Sequence, residues 1–178
     1  MRIIAGERKG HTIFAPKGRG SRPTSDRVRE NVFNIIAPWV EGARVLDLYA
    51  GSGAMGLEAL SRGAQAAVFV ESDADAVRAI ERNVDKLRLT GATVLRTGTT
   101  TALAQEAAAS RKYDLVLVDP PYTMTDYDTI ARYLPRVLSE DGLLVLETAA
   151  KVEPKLTGLA IRTTRRYGST RVTVFGHQ

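Results

Sequence analysis

The chain contains no cysteine, so disulfides, thiolate catalysis and cysteine-held metals are excluded. It has only two histidines, His11 and His177, one near each end. A zinc or non-haem iron centre is therefore not expected, and no metal is assigned. No apolar stretch approaches membrane-spanning length. The start, Met1-Arg2-Ile3-Ile4-Ala5-Gly6-Glu7-Arg8, has no long apolar core of the kind a secretory leader carries. A soluble cytoplasmic chain is expected.

What is present is a chain of 178 residues with 44% hydrophobic content, enough for one domain with a sizeable core. The net charge of +5 is unevenly spread. Residues 1–29 carry eight Lys/Arg against Glu7 and Asp26, and residues 151–178 carry six against Glu153. Residues 30–150 carry eleven against seventeen acids. An acidic middle between basic ends predicts a catalytic body with edges that grip a polyanion; solubilising charge on extended ends is the plainer alternative.

From residue 43 onward strand-like and helix-like stretches alternate. Strands are predicted at 44–50, 66–70, 93–96, 113–118 and 143–147. Helices are predicted at 55–62, 74–89, 101–110 and 128–138; the second carries Val77, Ile80, Val84 and Leu87 at helical spacing. This alternation predicts an α/β fold, a doubly wound, mostly parallel sheet. Residues 2–15 alternate weakly around Lys9-Gly10, predicting an N-terminal β-hairpin, and residues 24–37 read as an amphipathic helix. Residues 18–23 have loop composition. Near the other end, 159–167 and 170–175 flank Gly168-Ser169, a hairpin turn. Residues 1–40 are expected to form an RNA-facing appendage to a body at 41–178.

Asp119-Pro120-Pro121-Tyr122 follows the apolar run 113–118, which places it at the carboxyl end of a buried strand, where open α/β sheets keep their sites. Two prolines fix φ and remove two donors, leaving carbonyls to accept from a ligand. A carboxylate, one or two aimed carbonyls and an aromatic plane suit a flat base bearing an NH2 group. A rigid strand-ending turn is the bland alternative.

Gly51-Ser52-Gly53-Ala54-Met55-Gly56 follows the first strand and is a literal G-x-G-x-x-G, with Glu71 twenty residues beyond Gly51. That spacing matches the dinucleotide fingerprint and its ribose-binding acid. Asp47, four residues before Gly51, argues against a pyrophosphate, which would meet a carboxylate at short range. It favours S-adenosylmethionine, which has no phosphate but carries an ammonium and a sulfonium. Glu71 can accept both ribose hydroxyls.

Asp47-Leu48-Tyr49-Ala50-Gly51-Ser52-Gly53, Glu71 and the DPPY turn resemble the motifs of class I S-adenosylmethionine-dependent amino-methyltransferases. Met1 to Gly6, Arg22-Pro23-Thr24-Ser25-Asp26-Arg27-Val28-Arg29-Glu30 and residues 51–62 more narrowly resemble the bacterial 16S rRNA guanine-N2 methyltransferase family, of the small-subunit guanine 966 type. The similarity runs over nearly the whole chain, and RPTSDRVRE is its specific part. The resemblance implies a seven-stranded Rossmann-like sheet with one antiparallel strand, and a guanine in 16S rRNA, naked or in an assembling 30S particle, as substrate. A monomer with no membrane partner is expected. On the resemblance, Asp119, Pro120, Pro121 and Tyr122 are the catalytic candidates. Asp47, Tyr49, Gly51, Gly53, Glu71, Ser72, Gly98 and Thr99 are the cofactor candidates. Two positions depart from the pattern: Gly98 stands where related enzymes offer Asp or Asn to adenine, and Ser72 is smaller than the apolar residue often stacked there.

For RNA contact the candidates are Arg8, Lys9, Lys17, Arg19, Arg22, Arg27 and Arg29, with Arg165 and Arg166 behind them. Charges on a helix face are the alternative for Arg27 and Arg29. Adenine-N6 and glutamine-N5 methyltransferases share the DPPY logic. An NAD oxidoreductase and a non-catalytic RNA-binding module are the rivals from other classes.

Overall fold

The computed structural model describes residues 1–17 and 24–178. Seven strands form one sheet: β1 (Arg44–Leu48), β2 (Ala66–Glu71), β3 (Ala92–Arg96), β4 (Tyr113–Val118), β5 (Leu138–Ala149), β6 (Leu159–Tyr167) and β7 (Thr170–His177). Their order is β3-β2-β1-β4-β5-β7-β6. The first five run parallel, while β7 is antiparallel to both β5 and β6. β1 and β4 are apolar and buried along most of their length because helices cover both faces. The strand order reverses at β1, between β2 and β4, which opens a crevice at the carboxyl ends.

The alternation of side chains divides the core in two. Val45, Leu115 and Val145 face helices α1 (Asp26–Ile36), α2 (Ala54–Ser61) and α3 (Ala74–Leu87). Leu46, Val116 and Leu144 face α4 (Thr99–Ala108), α5 (Asp128–Ala131) and α6 (Leu134–Val137). The expected single helix over 128–138 is two short pieces. Pro135 lies in the first turn of α6, where its missing N–H costs nothing, and β5 already begins at Leu138.

The N-terminal hairpin is slighter than expected: one antiparallel bridge, Arg2 to Thr12, with Ile3 N–H donating to the His11 carbonyl at 2.9 Å. Several of its other donors turn to the helices. The Ile4 and Ala5 amides donate to the Glu58 carboxylate at 2.9 and 3.0 Å, and the Phe14 amide donates to Asn83 Oδ1 at 2.7 Å. Gly6 has φ +82°, and a Cβ there would meet the Ser61 carbonyl oxygen at 1.9 Å, so only glycine allows this approach. Ile3, Val32, Phe33 and Ile36 join Val45 and Leu57 in one core.

Candidate active site

The glycine turn begins with a departure from ordinary backbone. Tyr49 has φ +55°, a left-handed conformation that costs a non-glycine residue about 1–3 kcal/mol. The Ala50 amide donates to the Val70 carbonyl at 3.0 Å and holds the turn against β2. Gly51 (φ +57°) has open space where a Cβ would stand, so a ligand can approach its backbone. Asp47 is 2% exposed, and its Oδ2 accepts the Gly56 N–H at 3.0 Å. Burial pushes its pKa well above the usual carboxylate range, and the Asp119 and Glu71 charges push the same way against the Gly56 hydrogen bond. Asp47 thus anchors the first turn of α2, the position a pyrophosphate would need. It does not line the cavity described next, where the sequence reading expected it to meet the ligand's cations.

A cavity of about 280 Å³ opens beside the turn, lined by Tyr49, Glu71, Ser72, Gly98 and Thr99 among others. The structure therefore brings five of the eight cofactor candidates together; Gly51 adjoins them through Glu71. Glu71 Oε2 accepts from the Gly51 amide at 2.9 Å and Oε1 from the Asp73 amide at 3.1 Å. Each oxygen keeps a further lone pair, which suits a ribose diol. Gly98 caps α4 in extended conformation (φ −70°) with nothing within 4 Å of an added Cβ, so its backbone is open to a ring edge. Thr100 and Thr101 also line the cavity. Sequence reading missed them because nothing in a Thr-Thr-Thr helix start points to a ligand.

Asp119 follows β4, and its surroundings contain two residues that sequence reading did not select. Val118 pairs with Leu146 in the β4–β5 register, so Asp119 and Glu147 lie one step further along neighbouring strands. Thr24 stands between them: its Oγ1 is 3.0 Å from Asp119 Oδ2 and 3.0 Å from Glu147 Oε2. Burial and the Glu147 charge push Asp119 up to about 7, against the Thr24 hydrogen bond. The Pro121 carbonyl accepts from the Met124 amide at 2.9 Å and closes the turn. Tyr122 is 42% exposed, and its hydroxyl lies 2.9 Å from Thr170 Oγ1 on β7, which orients the ring. The Tyr49 hydroxyl lies 3.4 Å from Met124 Sδ, so the DPPY loop and the glycine turn meet across the crevice.

The basic candidates separate. Arg29 is fully buried, 3.7 Å from Glu58 and 3.1 Å from Asp26, and it donates to the Arg2 carbonyl. It is a structural cation, and its assignment to RNA contact is corrected: a phosphate cannot reach it. The Arg8 guanidinium donates to the Leu87 and Arg88 carbonyls at the carboxyl end of α3, which turns most of its donors inward. Lys9 and Arg27 are exposed and border a groove of about 430 Å³ that Arg2, Asp26 and Glu30 also line. Lys17 is exposed, as are Arg165 and Arg166 on the edge strand β6. Arg19 and Arg22, with the rest of residues 18–23, lie outside the described residues. Among the described residues no acid or histidine cluster could hold a metal, and no helix is long and apolar enough to cross a membrane.

The chain is similar to known proteins in sequence and in fold. The chain is 37% identical to the Bacillus subtilis "Putative rRNA methyltransferase YlbH", over 98% of both chains. It is 41% identical to the Escherichia coli ribosomal RNA small subunit methyltransferase D, over 68% of this chain and 60% of that one. Among solved structures, the E. coli "Putative methyltransferase yhhF" superposes with a TM-score of 0.87 at 30% identity, covering 100% of this chain and 98% of the other. Matched over residues 1–176, the chain belongs to the family described as conserved hypothetical protein 95.

Proposed function

We propose that this protein transfers a methyl group from S-adenosylmethionine to the exocyclic N2 of a guanine in 16S rRNA. The observation that carries the reading is the juxtaposition of an amine-accepting turn at Asp119 with a nucleoside-sized cavity at Glu71, joined by the Tyr49–Met124 contact. The names of the relatives support a ribosomal RNA substrate. The Asp47 carboxyl group on β1 disfavours a dinucleotide, because it already engages the Gly56 amide in the first turn of α2, where a pyrophosphate would bind.

S-adenosylmethionine supplies a methyl on sulfonium, whose departure needs no proton. The chain's own task is then chiefly alignment. A guanine N2 lone pair is delocalised into the ring and is a poor nucleophile. Acceptors on Asp119 and the Pro120 carbonyl orient the NH2 group and favour the charge that develops on nitrogen. Tyr122 stacks on the extruded base, a contact worth about 1–3 kcal/mol, which offsets part of the unstacking cost. Lys9, Lys17 and Arg27 hold phosphates at the edge of the site.

The test is transfer of labelled methyl to small-subunit RNA from cells lacking this protein, followed by nucleoside analysis. N2-methylguanosine is expected. Label in N6-methyladenosine or in protein would refute the assignment.

A further inference from the structure

The Asp119–Thr24–Glu147 contacts pose a problem of hydrogen counting. A threonine hydroxyl carries one hydrogen, yet Thr24 Oγ1 lies 3.0 Å from a carboxyl oxygen on either side. With both carboxyl groups ionised, only one of these contacts is a hydrogen bond; the other sets lone pairs against each other. One added proton on either carboxyl satisfies both, since the protonated group donates to Thr24 while Thr24 donates to the opposite carboxylate. The arrangement is a built receptacle for a single proton. It lies where the DPPY turn would hold an amine that must lose one.

The geometry points to Thr24 and Glu147 as positioning residues in methyl transfer: the Thr24 hydroxyl links the Asp119 and Glu147 carboxyl groups into one proton-sharing chain that takes up the proton shed by the exocyclic amine. This rests on the reading above and adds the fate of that proton. The amine lone pair forms the new N–C bond as the methyl–sulfur bond breaks, and the bonding pair leaves with sulfur as a neutral thioether. The amine proton passes to Asp119. Asp119 then donates to Thr24, and the Thr24 proton moves to Glu147, so the chain gains one proton and its charge changes from −2 to −1. Glu147 is only half-buried and returns the proton to water.

The groups facing Asp119 define its titration. Glu147 on β5 raises it, and the Thr24 hydroxyl ahead of α1 lowers it. Asp47 on β1 lies near enough for the two charges to repel. The pair titrates as a unit, and its ionised form is the one that accepts a proton.

The experiment is single-turnover methyl transfer to small-subunit RNA across neutral pH, with a parallel carboxyl 13C NMR titration of the protein alone. The wild-type rate is expected to rise with pH around a midpoint near 7. Glu147→Gln removes the like charge and lowers the midpoint by about one pH unit or more. Thr24→Val breaks the link between the two carboxyl groups and displaces the midpoint, and Thr24→Ser leaves it in place. The NMR midpoints of Asp119 move in the same directions. Slower transfer with unmoved midpoints in both Glu147→Gln and Thr24→Val would overturn the proposal, leaving these residues a packing role. Should Thr24→Val fail to fold, Glu147→Gln decides alone: an unmoved midpoint in both assays refutes the chain. If the wild type methylates no guanine, the functional reading fails by itself, while the NMR titration still reports whether the carboxyls share a proton.

Discussion

Replacing Glu58 by alanine should be among the most damaging single changes to stability, even though Glu58 does no chemistry. Its side chain is fully buried on α2, and it accepts from the Ile4 and Ala5 amides and from Arg62 Nε at 2.8 Å. It also stands 3.7 Å from Arg29, whose Nε and Nη1 have no hydrogen-bond partner. Two costs follow from its removal. Orphaned amides cost about 1–3 kcal/mol each when they stay dry, but residues 4 and 5 are half-exposed and water can reach them. The buried Arg29 charge keeps the partly exposed Asp26 at 3.1 Å but loses the fully buried carboxylate beside it, and breaking a buried pair costs about 3–5 kcal/mol. The second effect dominates. For a domain of this size each kcal/mol lowers Tm by about 2–4 °C, so a fall of roughly 6–20 °C is expected. Asp26→Ala is the control: it also removes a carboxylate beside Arg29, but one whose side chain is 37% exposed, and its loss should cost about 1 kcal/mol or less. Urea and thermal unfolding of both variants measure the difference. A Glu58→Ala protein within 1 kcal/mol of wild type, or one equal to Asp26→Ala, would refute the reasoning that a buried counter-charge ties the N-terminal segment down.

Three further outcomes are expected. Asp119→Asn should abolish methyl transfer, spare cofactor binding and stabilise the fold at pH 8. A carboxyl raised to about 7 destabilises the folded state once it ionises, so the gain, roughly 2–4 kcal/mol, should fade as pH drops through 7 and vanish near pH 4; a pH-independent gain would contradict the sign. Tyr122→Ala should weaken RNA capture about tenfold or more, while Tyr122→Phe keeps the stacking face and loses only the Thr170 hydrogen bond; equal effects in a binding titration would argue against stacking. Lys9→Ala and Arg27→Ala should each reduce the salt dependence of RNA binding by about one ion, whereas Arg29→Met should alter stability and leave that slope unchanged. A lowered slope for Arg29→Met would return it to the RNA surface.

Much of the site was legible before any coordinates, because motifs that depend on backbone are written locally. The glycine turn, the acid closing β2 and the proline pair after β4 are each set by a few adjacent residues. Apolar runs and helical patterns likewise located all five parallel strands and the main helices. Boundaries slipped where patterns could not speak. The helix expected over 128–138 gave way at Pro135, and β5 extended well beyond its apolar centre.

Charge was the least legible property. Arg27 and Arg29 stand two apart in one motif, yet one is exposed and the other has no accessible surface. On a helix, residues two apart point to different sides, and which side is solvent depends on what packs there. The linear chain by itself marked the parallel strands and the two candidate loops at their carboxyl ends, since these follow from φ preferences, hydrophobic patterning and residue chemistry. Only the tertiary structure decided that Thr24, Asp119 and Glu147 meet, and that Asp47 supports the glycine turn from behind. Thr24 lies 95 residues from Asp119 and 123 from Glu147, and strand order, register and the docking of α1 bring them within one hydroxyl's reach.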